Sequence, residues 1–101
     1  MADSEAATPP ASPTGFATSL AYELHPQVSL RREPFGALAY HFGNRRLTFV
    51  RSFELVELIE QLADHPSASA ALDACGVGRR LRPGVERALA SLEQSEVIRA
   101  R

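Results

Sequence analysis

The stretch REPFGALAYHFGNRRLTFV, Arg32 to Val50, joins two alternating apolar runs through a glycine-asparagine pair. A period of two marks half-buried strands, and Gly43-Asn44 tolerates the positive φ of a tight primed turn, so the segment predicts a β-hairpin. Its first arm, Ala37 to Phe42, puts Ala37, Ala39 and His41 on one face and Leu38, Tyr40 and Phe42 on the other; the larger set is expected to face the core. The second arm alternates Leu47, Phe49 and Arg51 with Arg46, Thr48 and Val50 and ends at Ser52. Upstream, HPQVSLRRE alternates Val28 and Leu30 with Ser29 and Arg31. That strand closes at Pro34, which lacks an amide donor, and Gly36 permits the turn into the hairpin.

Downstream the period changes to three and four. Ser52 is suited to cap a helix, with Glu54 and Glu57 near its positive end, and Leu55, Leu58, Ile59 and Leu62 form one apolar stripe. His65-Pro66 ends it, because a residue before proline disfavours helix. Ser67 or Ser69 then caps a short second helix with Ala68, Ala71, Leu72 and Cys75 on one side and Gly76 as its left-handed stop. After the glycine-punctuated GVGRRLRPG, Pro83 suits a first helical turn, and Val85, Ala88, Leu89 and Leu92 give a third amphipathic helix ending near Ser95. Val97 and Ile98 suggest a closing extended piece. Three strands followed by three helices define an α+β domain, a three-stranded antiparallel sheet against a helical bundle, winged-helix-like in order.

The chain has 101 residues, enough for one domain. Residues 1–20, rich in Ala, Ser, Thr and Pro, have only Phe16 and Leu20 as large apolar side chains and are expected to form a disordered tail ahead of a domain at 21–101. The formal net charge is -1, so no global field draws the chain to nucleic acid or anionic lipid. No cationic-apolar signal or membrane-length apolar run occurs, and Cys75 is the only cysteine, which fits a reducing cytoplasm.

The chemistry-bearing residues are sparse. His25, His41 and His65 are too scattered in sequence for a metal motif, and no metal or cofactor is expected. His41 reads as a solvent-facing or edge residue and His65 as a helix C-terminal one. Cys75 reads as a small core hydrophobe, and Gly76-Val77-Gly78 lacks the rest of a phosphate loop. Arg31, Arg32, Arg45, Arg46 and Arg51 on the sheet, with Arg79, Arg80, Arg82 and Arg87 around the third helix, raise the alternative of a winged-helix DNA-binding protein. Against it, residues 21–101 hold all 11 arginines and 10 of the 12 acids, since Asp3 and Glu5 precede them, for a formal +1. The third strand, if it lies at the edge of a meander, exposes unpaired amides and carbonyls to which a peptide can add, with Val85, Leu89 and Leu92 as a facing wall. Equally, those side chains can all be core, with Arg46 and Arg51 protecting the edge from aggregation.

The runs LHPQVSLRREPFGALAYHFGNRRLTF, LADHP and ALDACGV resemble the small peptide chaperones of mycofactocin biosynthesis, over about Tyr22 to Ile98. These are similar in fold to the chaperone of pyrroloquinoline quinone biosynthesis, so the resemblance implies a PqqD-like recognition element for ribosomally made peptides. It implies a non-catalytic protein that binds the leader of a precursor peptide as an added strand, between the third strand and third helix, and presents the peptide to a radical S-adenosylmethionine maturase. By position, the strand residues are Leu47, Thr48, Phe49 and Val50, and the helix residues are Val85, Ala88, Leu89 and Leu92. Arg82 and Arg87 would meet acidic leader residues. Pro34, Phe35 and Gly36 either fix the sheet or touch the enzyme.

Overall fold

The structure, a computed structural model, describes residues 16–101. Strands β1 (Tyr22–Leu24), β2 (Val28–Glu33), β3 (Gly36–His41) and β4 (Leu47–Val50) precede helices α1 (Phe53–Gln61), α2 (Ala68–Ala74) and α3 (Arg82–Gln94), and β5 (Ile98–Ala100) closes the chain. The three-stranded antiparallel sheet has the order β2-β3-β4, while β1 and β5 pair separately. The α+β architecture is therefore the expected one, enlarged by the β1–β5 ribbon. Tyr22 pairs with Ala100 and Leu24 with Ile98, so the suspected closing segment finds a partner whose three residues carry too little pattern to announce a strand.

The sheet faces are inverted relative to expectation. Ala37, Ala39 and His41 of β3 are buried at 0%, 1% and 3% exposure, whereas Tyr40 and Phe42 are exposed. The reason is volume: α1 packs across β3, and its Val56 and Ile59, both fully buried, fill the space that the alanines leave. Close-packed interiors conserve total volume rather than the size of each residue, so small sheet residues let the helix approach. On β4 the same phase buries Val50 and leaves Leu47 and Phe49 outside.

Two turns hold this sheet in register. Between β2 and β3, Pro34 and Phe35 form the tip and Gly36 sits at φ 145°. A Cβ there would lie 2.0 Å from the Val50 carbonyl oxygen and 2.9 Å from the Ser52 nitrogen, so only glycine lets β3 pass the end of β4. The β3–β4 turn is not the expected two-residue primed turn. Its positive φ falls on Arg45, at 64°, with the Arg45 amide bonded to the His41 carbonyl at 2.8 Å. Gly43 and Asn44 instead donate their amides to His41 Nδ1, both at 3.0 Å, and Asn44 Oδ1 accepts from the Arg46 amide at 2.8 Å. His41 is thus the buried anchor of the turn, not a solvent-facing residue.

The helical caps follow the sequence. Ser52 and Ser67 accept from the Leu55 and Ala70 amides at 3.2 and 3.1 Å, and Gly76 takes φ 74° after α2. The start of α2 is also tied to residues ahead of β1. Leu20 and Thr18 carbonyls accept the Ala68 and Ser69 amides at 2.9 and 2.8 Å, and Phe16 stacks on buried Tyr22 with ring centroids 4.9 Å apart. Residues 16–20 therefore satisfy amides that a seven-residue helix leaves open. Residues 1–15 of the expected tail lie outside the described residues. No helix among those described is long and apolar enough to cross a membrane.

Gly36→Ala is expected to destabilise the domain by ~1–3 kcal/mol from the backbone alone, plus the cost of displacing Val50. Gly78→Ala, where an added Cβ meets nothing, is expected to stay within about 0.5 kcal/mol of the native protein. Urea denaturation of the two variants checks both.

Candidate functional site: the open edge of β4

Antiparallel pairing alternates residues whose main chain faces one neighbour with residues whose main chain faces the other. The phase here is fixed by two bonds: the His41 amide donates to the Arg46 carbonyl at 3.0 Å, and the Phe42 amide to the Gln27 carbonyl at 2.8 Å. Odd residues of β3 therefore bond β4, and even ones bond β2. With Ala39 opposite Thr48 and Ala37 opposite Val50, Thr48 and Val50 spend their amides and carbonyls on β3. Leu47 and Phe49 point theirs the other way. Among the described residues β4 pairs with β3 alone, so the main chain of Leu47 and Phe49 lies on an unpaired edge.

The side chains along this edge are apolar and exposed. Leu47 and Phe49 are 54% and 53% exposed; Phe35 meets Phe49 edge-on at 5.8 Å, and the Arg51 guanidinium lies over the Phe49 ring at 5.4 Å. Thr48 is half-buried. Phe53, at the start of α1 and 46% exposed, and Leu81, at the N-cap of α3 and 66% exposed, are further open apolar side chains outside the positions singled out from the sequence. Their signal was an apolar residue off the helical stripe.

The expected α3 wall divides in two. Leu89 and Leu92 are core, at 0% and 6% exposure, while half-buried Val85 and Ala88 retain surface. Arg82 is bound to Asp73, so an acidic guest has to compete with an existing ion pair; Arg87 is exposed and has no ionic partner among the described residues. The half-buried Cys75 thiol, with its pKa raised by burial and by Glu57, lies 3.6 Å from the Gln61 side-chain oxygen and is poorly suited to nucleophilic work.

Elsewhere the fold gathers what the sequence scatters. His25 and His41 rings approach to 4.4 Å, and with Glu96 they place candidate ligand atoms within 4.8 Å of one another. The β2–β3 register, Val28 opposite His41, is the signal that brings residue 25 there. The hydrogen bonds argue against a metal in this arrangement. Nδ1 of His25 accepts the Gln27 amide at 3.1 Å, as His41 Nδ1 accepts its two, so each neutral ring carries its proton on Nε2, the atom a metal would need. Glu96, at φ 66°, brings its carboxylate 3.7 Å from His41 Nε2 and accepts from Asn44 Nδ2 at 3.4 Å. The group ties the hairpin turn to the end of α3. An open depression of about 410 Å³ beside it is lined by His25, Glu93, Glu96, Ile98 and Arg99, of mixed sign.

An α+β domain with an unpaired edge strand beside exposed apolar residues belongs, by its geometry, to the class of folds able to accept a peptide as an extra strand. Residues 21–99 match the Peptide chaperone MftB family. The chain is 45% identical over 83 residues to "Peptide chaperone MftB" of Mycolicibacterium smegmatis, covering 82% of this chain and 81% of that one. The proteins of that name from Mycobacterium ulcerans and Mycobacterium tuberculosis are 48% and 46% identical over 56 residues, 55% of this chain and 51% of each of theirs. No solved structure matches at a significant level. The chain belongs to the Peptide chaperone MftB family.

Burial lowers the His25 pKa, and His41 and Arg99 push it the same way. The unfolded chain, with histidine near its ordinary ~6.5, takes the proton first as pH falls, so this contribution is complete above that value and lost below it. Stability is expected to decline between pH 7.5 and 5.5, and His25→Asn, whose oxygen can still accept the Gln27 amide, is expected to flatten the slope in urea titrations at the two pH values.

Proposed function

We propose that the protein is a non-catalytic peptide chaperone that binds the leader of the mycofactocin precursor peptide as a fourth strand on β4. It then delivers that peptide to a radical S-adenosylmethionine maturase, the chemistry residing in the enzyme. The observation that carries this reading is the unpaired main chain of Leu47 and Phe49, in a member of a family of peptide chaperones. A guest strand would take its main-chain bonds from these two residues. Its side chains would alternate between the Leu47–Phe49 face and the opposite face, that of Thr48 and Val50, where Val85 and Ala88 of α3 are the proposed facing wall. Thr48 would hold β4 to β3, and Arg87 is better placed than Arg82 to meet an acidic leader residue, because it need not leave Asp73.

DNA binding through α3 has less to support it. The helix carries Arg82 and Arg87 against Glu86 and Glu93, and Arg82 is already paired.

The phase of the ladder selects the variants. Proline at Thr48 would delete a bond to β3, whereas Leu47 is the first residue of an edge strand with its amide facing outward, where proline is tolerated. Leu47→Pro is expected to keep the native circular dichroism and to weaken the synthetic precursor peptide by about tenfold or more, since a guest carbonyl loses its donor. Phe49→Asp is expected to weaken it similarly, and Leu47→Ala less. Titration calorimetry reads all three; unchanged dissociation constants for Leu47→Pro and Phe49→Asp would remove strand addition.

A further inference from the structure

The sheet has a second exposed feature, which strand addition uses only in part, at Leu47 and Phe49. On the face turned away from the helices, Tyr40 of the central strand and Phe42 just past its end stack edge-on at 5.3 Å, with half-buried Leu38 in the same row. Leu47 lies opposite Tyr40, and Phe49 opposite Leu38. Exposures of 37% for Tyr40, 59% for Phe42, 54% for Leu47, 53% for Phe49 and 39% for Phe35 are high for residues of this size. Aromatic side chains offer ~150–250 Å² each, so these fractions leave roughly 400–500 Å² of apolar surface on one face. A continuous patch of that order is the size of the largest apolar patch on a typical monomer, which is often functional.

Charge says what fits it. Arg31 projects from this face opposite Leu38, Arg45 stands at the hairpin turn and Arg51 lies over Phe49. Only Arg31 has an acidic partner, Glu33, among the described residues. The surface is thus apolar at the centre and basic at the rim. A second copy of the chain would set these arginines against themselves, and the patch is about half of the ~800 Å² per partner of a standard stable interface. A guest strand on β4 reaches Leu47 and Phe49 but lies ~10 Å from Tyr40 and Phe42, two strand spacings away.

We infer that this outer face, centred on Tyr40 and Phe42, docks a folded protein whose contact surface is apolar with an acidic rim, and that this partner is the enzyme that modifies the guest peptide. The inference rests on the proposed function for the identity of the partner. It puts peptide and enzyme on adjoining parts of one sheet: the edge holds the peptide, and the face orients the enzyme beside it. Arg45, at the turn, supplies attraction at a distance, so it affects encounter more than residence.

The test measures two affinities for each variant of the full chain: that for the synthetic precursor peptide and that for the purified radical maturase. Tyr40→Thr combined with Phe42→Ser keeps residues suited to a solvent-facing strand and strand end. It is expected to weaken the maturase by tenfold or more while peptide affinity stays within about twofold. Arg45→Asn, which tolerates the positive φ, is expected to slow maturase association and reduce its dependence on salt. Native circular dichroism and the preserved peptide affinity report that the fold is intact. Unchanged maturase affinity in Tyr40→Thr/Phe42→Ser, or no maturase binding by the native protein, overturns the docking face even if peptide binds. If the native protein fails to bind peptide, the proposed function fails by a separate measurement. Native dimers that the double variant dissolves in sedimentation would make the face a self-interface and overturn the inference as well.

Discussion

A β-strand has two hydrogen-bonding edges, and β4 uses one of them within the described chain. Thr48 and Val50 are committed to β3; Leu47 and Phe49 are not. Exposed edges of this kind are usually protected, because any extended chain can join them. Here the protection is slight: the strand is four residues long, and Arg46 and Arg51 flank it, yet its outward side chains are leucine and phenylalanine. Gly36 is part of the same arrangement, since its lack of a Cβ allows the β2–β3 turn to pass the Val50 carbonyl and seat β4 in register.

The inner face explains why so much apolar surface remains outside. Alanines on β3 admit α1 closely, and Val56, Ile59, Leu89 and Leu92 complete the core from the helices. With the interior filled by small strand residues and large helical ones, Tyr40, Phe42, Leu47 and Phe49 have nowhere to go but outward. The partition of volume between sheet and helices thus creates both the apolar flank of the open edge and the aromatic face beside it.

The order of strands and helices was legible because the period of the apolar residues changes from two to about 3.6 at Ser52, where a capping hydroxyl also stands. The burial phase of the hairpin was not, because side-chain size suggested that Leu38, Tyr40 and Phe42 face the core; only the helix packed on the other side decides that alanine is the interior residue. The turn was misread for a related reason. Gly43-Asn44 satisfies the local rule for a primed turn, but the buried His41 imidazole bonds both amides and shifts the positive φ to Arg45. β1 was missed because its partner lies at the other end of the chain, beyond the reach of local pattern. Of the positions singled out for peptide recognition, Leu47 and Phe49 have the exposure and open main chain that the role requires. Leu89 and Leu92 satisfy the same helical pattern as core, a distinction that periodicity cannot make.

Amide hydrogen exchange, resolved by residue with and without the synthetic precursor peptide, reads the open edge most directly. Thr48 and Val50 amides, already bonded to β3, should exchange slowly in the free protein, while Leu47 and Phe49 amides exchange fast and become protected when peptide is added. Peptide binding that leaves the Leu47 and Phe49 amides as exposed as before would contradict the addition of a strand to β4.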